Sequence, residues 1–320
     1  MNLSPFTTFT EELVGECEER LAQAARMCTF GISYLDDALY GILPNDLIVL
    51  AGRSGGGKSE IAIHISMINA LKGKRVFHLA LEAEKREMTR RALFKALARD
   101  FYSRRAFVSE RPNYLAWLTG RQEHLFEKYG AEITSQLAKF ENLKLFYRGT
   151  DFGTKELSMI FSSVKNQADL LVLDHLHYVD IPDDNENKAY KEMVKEIRNL
   201  ALYYGIPVIL VAHIRKADRK NPNPVPDLED IHGSSDIFKI ATKVITIAPA
   251  RELRLDPHRF PTFLKIAKCR QDGSLQFVTG LSVFDLSRGE YEETYKLGNH
   301  NYKGEWELIE VHPHWARRAK

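Results

Sequence analysis

One eight-residue stretch, Gly52-Arg53-Ser54-Gly55-Gly56-Gly57-Lys58-Ser59, constrains this chain more than any other. It follows a compact run, Asp46-Leu47-Ile48-Val49-Leu50-Ala51, that reads as a buried parallel strand. It precedes a stretch from Glu60 to Leu71 with Ile61, Ile65 and Ile68 at helical spacing, ending before Gly73. Strand, glycine turn and helix in that order form the setting in which such a loop grips phosphate. The glycines let the backbone curl so that several N–H groups face one anion, and the positive end of the helix dipole adds to the field. Lys58 is then expected on the β- and γ-phosphates, and the Ser59 hydroxyl on Mg²⁺.

The alternation continues along the chain. Strands are expected at 75–81, 143–147, 169–174 and 207–212, with helices at 85–101, 154–167 and 187–204. That pattern means βαβ units around a mostly parallel sheet flanked by helices. Beyond residue 240 the pattern changes to strands at 243–247, 262–267, 275–281 and 290–295, which extend the sheet as an antiparallel edge. Residues 9–27 read as one amphipathic helix, 31–45 as a loop region and 102–142 as a helical surface elaboration. The Pro- and Asn-rich 221–226 reads as a loop. The division expected is an N-terminal linker helix over 1–28, an ATPase domain over 29–295 and a C-terminal tail over 296–320.

Composition excludes more than it selects. The 45 Lys+Arg and 43 Asp+Glu of the 320 residues leave a net charge of +2, too mild to announce nucleic-acid binding by itself. Three scattered cysteines in no CxxC spacing argue against a disulfide framework or a cysteine zinc site. His300, His312 and His314 form no metal-ligand spacing. No apolar run reaches membrane-spanning length, and MNLSPFTTFTEEL lacks the basic head and apolar core of a signal peptide, so a cytoplasmic or nucleoid-associated protein with no membrane partner is expected.

Two carboxylates complete the expected phosphate site. Asp174 ends the uninterrupted run Leu170-Leu171-Val172-Leu173, at the strand end where open α/β sheets bind ligands, and is expected to hold Mg²⁺ through water. Leu79-Ala80-Leu81-Glu82-Ala83-Glu84 places Glu82 where a carboxylate faces the γ-phosphate and polarises the attacking water. Glu84 competes for that role, and either acid also suits a helix N-terminus.

Taken together, these segments resemble the RecA-like P-loop cores of the DnaB-type hexameric replicative helicases. Glu82 resembles that family's catalytic glutamate, and Leu173-Asp174-His175-Leu176 its Walker B. His213-Ile214-Arg215-Lys216 resembles its γ-phosphate sensor, in the form with His carried by phage-type primase-helicases and their mitochondrial relatives. Asp227 to Ser235 resembles the Gly-Ser segment beside a DNA-binding loop. Lys265-Ile266-Ala267-Lys268-Cys269-Arg270 resembles the Lys-x-Arg turn whose arginine reaches a neighbour's nucleotide. The likeness runs from about residue 29 to 285, with no primase or primase-binding segment ahead of it.

The resemblance implies ATP and Mg²⁺ as ligands, a homo-oligomer of six, and single-stranded DNA in the channel. Arg270, with Lys268 beside it, would serve the next subunit, and residues 9–27 either pack on that subunit or fold back on their own domain. DNA contacts are expected from 183–191 and 233–239, with Lys188, Lys191 and Lys239 on phosphates and backbone N–H groups near Gly233 and Ser234. The run 215–220 reads as a solvated charged face. The leading expectation is an ATP-driven helicase or translocase, with replication or recombination proteins as candidate partners. An ATP-switched scaffold or loader and a RecA-type recombination mediator are the alternatives.

Overall fold

Five apolar runs that alternate with helical stretches become five adjacent parallel strands: β1 (Leu47–Gly52), β2 (Val76–Ala80), β3 (Leu143–Tyr147), β4 (Leu170–Asp174) and β5 (Val208–His213). The computed structural model describes residues 7–104, 110–125, 138–148, 152–175, 178–179, 186–214, 223–228, 239–254 and 256–320. A sixth strand, β6 (Lys243–Pro249), lies parallel to β1 on its other side. The chain then turns antiparallel through β7 (Arg259–Cys269), β8 (Thr279–Asp285), β9 (Glu290–Tyr291), β10 (Lys296–His300) and β11 (Trp306–Leu308). The spatial order is β11-β10-β8-β7-β6-β1-β5-β4-β2-β3, with β9 beside β8.

Strict alternation along the central strands feeds two separate cores. Leu47, Val49, Leu171, Leu173, Val208 and Leu210 point to one face, under α7 (Thr154–Val164) and α8 (Glu186–Tyr204). Ile48, Leu50, Leu170, Val172, Ile209 and Val211 point to the other, under α3 (Ser33–Leu39) and α4 (Lys58–Leu71). Both faces are covered, so the strands are apolar throughout and every residue of β1 and β4 is buried. Among the described residues no helix is long and apolar enough to cross a membrane.

Several elements depart from the sequence reading. The single helix expected over 9–27 is two, α1 (Phe9–Leu13) and α2 (Glu16–Arg26), because Gly15 takes φ +84° between them. Neither buries a residue; α2 is held at its C-terminal end, where the Arg26 Nη2 group donates to Gly205 O at 2.7 Å. The region 31–45 is not all loop. It contains α3, which is too short for a full helical period to stand out and buries Tyr34, Leu35 and Leu39.

The strand expected at 275–281 begins only at Thr279. Asp272 accepts from the Ser274 N–H at 2.8 Å and draws Gly273–Phe277 into a 3-10 turn instead. Of the elaboration over 102–142, the described residues include the end of α5 (Glu87–Arg104), α6 (Tyr114–Leu118) and a short turn at Glu123–Leu125, which pack an aromatic cluster of Phe94, Phe101, Tyr114 and Trp117. Residues 296–320, expected as a tail, instead add β10 and β11 to the sheet. Beyond these strands Trp315 is buried beside Tyr34, and Arg318 is paired with Asp37.

Candidate functional site

The register of the parallel strands decides which residues can meet. Gly52 pairs with His213 of β5 and with Ile247 of β6, while Ala80 pairs with Asp174 across β2 and β4. Gly52, His213 and Asp174 therefore stand at one edge of the sheet, and Glu82 follows β2 by two residues at that same edge. This is the carboxyl end of the strands, where open α/β sheets receive ligands.

The phosphate loop spans the gap from β1 into α4. Gly57 takes φ +87°, which an L side chain resists, and a Cβ on Gly52 would stand 2.8 Å from Ile247 O. The Lys58 Nζ group lies inside the loop, donating to Arg53 O at 3.0 Å and to His213 Nδ1 at 3.2 Å. The Ser59 hydroxyl donates to Asp174 Oδ1 at 3.2 Å and lies 3.2 Å from His175 Nε2. Glu82 Oε2 is 2.8 Å from His175 Nε2 and 3.9 Å from His213 Nε2. The two imidazoles are stacked, 4.2 Å apart and 17° from parallel.

Burial sets the electrostatics. Lys58 is 3% exposed, and the loss of water draws its ammonium below the ordinary lysine value against the pull of Asp174 and Glu82. Asp174 is 4% exposed; burial, joined by the charge of Glu82, pushes its carboxyl up to about 7, opposed by Ser59, Lys58 and Arg91. Burial, then the Lys58 charge, lowers the pKa of His213. A buried carboxylate beside a hydroxyl is the all-oxygen donor pair that Mg²⁺ favours, and the cation would stabilise the ionised form that burial penalises.

Beside the loop opens a cavity of about 450 Å³, bounded by Gly55 to Gly57, Tyr114, Arg251, Arg254, Phe260 and Tyr291. Its volume and apolar walls suit a small organic ligand. Arg254 lies over the Phe260 ring at 4.2 Å, and Arg91 bridges Glu60 and Glu87, tying α5 to the first turn of α4.

Other expected residues lie elsewhere. Cys269 pairs with Lys243 at the start of β6, so Arg270 sits past the opposite edge of the sheet, at least roughly 13 Å from the row of Gly52 along the strand axis. There the Arg270 N–H donates to Thr242 O at 2.8 Å and Lys268 Nζ to Lys239 O at 2.8 Å. Burial and the neighbouring Arg270 charge lower the pKa of Lys268. Lys188 and Lys191 lie in the first turns of α8, at the loop end of the sheet, and Lys239 at the far end. The structure does not bring these lysines together. Gly233, Ser234, residues 183–185 and the run 215–220 lie outside the described residues.

His175 is the site residue that sequence reasoning passed over as a candidate. Its one signal was a polar side chain directly after the strand-ending Asp174. With Glu82 and His213 it places three donor atoms within 4.8 Å of one another, a set chemically suited to a transition metal. Nearly parallel rings share no nearby point in both their planes, so the two lone pairs do not converge as an ion would require. The trio is a stacked pair of histidines with one short hydrogen bond, from His175 to Glu82.

Comparisons with known proteins agree on one family. The model of the DnaB-like helicase C terminal domain matches residues 28–279. The replicative DNA helicase DnaB of Rickettsia felis is 23% identical over 231 residues, 68% of this chain and 44% of that protein. Its counterpart in Mycoplasma genitalium is 24% identical over 234 residues, 68% of this chain and 45% of that one. The chain thus spans less than half the length of these relatives. Among solved structures, an isolated ATPase domain has a TM-score of 0.68 at 16% identity, covering 89% of this chain and 98% of that one. A DnaB-like replicative helicase, studied with its interactions with primase, has a TM-score of 0.63 at 18% identity, covering 89% and 67%. The fold is RecA-like.

Proposed function

Because the chain belongs to the DnaB-like helicase C-terminal domain family, we propose that it hydrolyses ATP and, as a ring of six, uses that hydrolysis to move along single-stranded DNA and open duplex ahead. One observation carries the reading. Lys58, Ser59, Glu82, Asp174 and His213, drawn from three strand ends and a helix start, gather at one edge of the sheet, while Lys268 and Arg270 stand at the other.

In this reading the loop backbone from Gly52 through Gly57 cradles the triphosphate, with Arg53 and Ser54 in the curl. Lys58 leaves Arg53 O and His213 for the β- and γ-phosphate oxygens. Ser59 and Asp174 would hold Mg²⁺, which would supply charge neutralisation at the phosphates. Glu82 accepts a proton from the attacking water and keeps it aligned. His213, relieved of Lys58, donates to the γ-phosphate. The cavity beside the loop takes the ribose and base.

Arg270 cannot reach the nucleotide of its own chain across the sheet. It suits a neighbour's, with Lys268 beside it, and an arginine so delivered contributes roughly 10³–10⁵ in rate in well-studied NTPases. The arm α1–α2 carries an exposed apolar stripe that includes Leu13 and Leu21, and would pack on the adjacent subunit. Lys188, Lys191 and Lys239 would neutralise DNA phosphates.

The deciding experiment is the rate of ATP hydrolysis with and without single-stranded DNA, alongside native mass and strand displacement on a forked duplex. DNA-stimulated hydrolysis by a hexamer with displacement is expected. Slow, unstimulated hydrolysis with no displacement would replace the motor with an ATP-switched scaffold.

A further inference from the structure

We propose that His175 is a positioning residue for hydrolysis: its Nε2–H holds the Glu82 carboxylate in place. The inference rests on the reading of Glu82 as the group that polarises the attacking water.

Glu82 lies on the turn after β2, and its side chain is 42% exposed, so its own packing does not select one rotamer. A proton acceptor must stand within roughly 2.6–3.2 Å of the water it activates. His175 supplies what Glu82 lacks. Its side chain is 3% exposed, fixed at the end of β4, and its Nε2 is 2.8 Å from Glu82 Oε2, 3.0 Å from Asp174 Oδ1 and 3.2 Å from Ser59 Oγ. A carboxylate oxygen only accepts, so Nε2 carries the proton in the bond to Glu82. One ring nitrogen thereby touches the expected base and both expected cation-side residues.

The ring of His175 is also backed by the stacked ring of His213. Lys58 Nζ donates to His213 Nδ1, 3.2 Å away, in the structure as it stands. A triphosphate that draws Lys58 to its own oxygens releases that nitrogen. No bond breaks beyond hydrogen bonds.

The test compares single-turnover ATP hydrolysis and ATP affinity in the full chain and in His175→Phe, His175→Gln, Glu82→Gln and the double variant His175→Phe/Glu82→Gln. His175→Phe is expected to slow hydrolysis about 10–100-fold, the scale of an ångström-sized misplacement, with ATP affinity within about threefold. His175→Gln, whose amide N–H reaches to nearly the Nε2 position, is expected to regain most of the rate. If Phe at 175 prevents folding, His175→Asn replaces it, since its shorter amide reaches only the Nδ1 position, and it is expected to be slow.

The double variant is expected to hydrolyse within about twofold of Glu82→Gln alone, because a residue acting through Glu82 has nothing left to position. Multiplying losses in the double variant, no rescue by Gln, or affinity lost in step with rate would each overturn the proposal and leave His175 as packing. A slow Glu82→Gln beside a full-rate His175→Phe overturns this inference alone. A full-rate Glu82→Gln overturns the assignment of the base and this inference with it.

Discussion

Lys58 surrenders nearly all its water to stand inside the loop, and a buried ammonium is tolerated only where acceptors and opposite charge replace the lost hydration. Arg53 O, His213 Nδ1 and the carboxylates of Asp174 and Glu82 do that here, and each can be exchanged for phosphate oxygen. Lys58→Ala is expected to cut ATP hydrolysis by about 10²-fold or more, the scale on which a single transition-state donor contributes, with weakened nucleotide binding. Phosphate release measures the first and calorimetry the second; an undiminished rate would remove the central assignment. The loop and Asp174 were legible in the sequence because their signals are local, eight consecutive residues and the end of one apolar run. Between Glu82 and Glu84 the sequence left a choice that the structure sharpens. Glu82 faces the histidines, while the Glu84 N–H donates to Glu87 Oε2 at 3.1 Å, at the entry to α5. His175 was not legible as a hub because every partner that makes it one, apart from adjacent Asp174, comes from another element.

Helices and strands carry their own titration. His64 of α4 is buried with its Nε2 2.9 Å from Gly31 O, and burial lowers its pKa to about 4; His78 of β2, bonded to Ser66, falls to about 3 for the same reason. Between pH 6.5 and 4.5 only the unfolded chain protonates these rings, so each removes about 1.4 kcal/mol of stability per pH unit as pH falls. Asp174, raised to about 7, opposes them, because the folded chain keeps its proton where the unfolded chain does not. These three groups together are expected to remove roughly 1.4 kcal/mol per pH unit over that range, and about twice that in Asp174→Asn. Urea midpoints at pH 6.5, 5.5 and 4.5 check both slopes; a flat profile would mean that protons reach these histidines in the folded protein. Element by element, hydrophobic period foretold the strands of the parallel core and the helices between them. It failed where a single residue interrupts a period, as Gly15 divides the arm and Asp272 delays β8. Deleting residues 1–28 is expected to lower the native mass from hexamer to smaller species, whereas an unchanged oligomer would refute packing of the arm on a neighbour.

At the scale of the molecule the sheet carries the phosphate-loop residues at one edge and Arg270 at the other. The sequence implied both edges as motifs, but only strand register shows that one chain cannot bring them together. Equal mixtures of Lys58→Ala and Arg270→Ala chains are expected to recover hydrolysis at about a quarter of their junctions, those pairing an intact loop with an intact arginine, if exchange is random. No recovery in mixtures that have demonstrably exchanged subunits would count against delivery in trans. Binding of single strands should weaken with salt at a log–log slope of about −0.7 per neutralised phosphate, and each of Lys188→Ala, Lys191→Ala and Lys239→Ala should flatten it by about that amount. A slope unmoved by all three would place the DNA on other residues.

Such a two-ended protomer, working as proposed, would also make faults contagious. Under the proposed delivery of Arg270 in trans, a copy with a perfect cradle would fall silent when its upstream companion lacked Arg270, while the culprit itself would still fire if its own supplier were sound. Damage would be felt one seat away from where it occurred, so a minority of defective chains would depress output more than their share of the population.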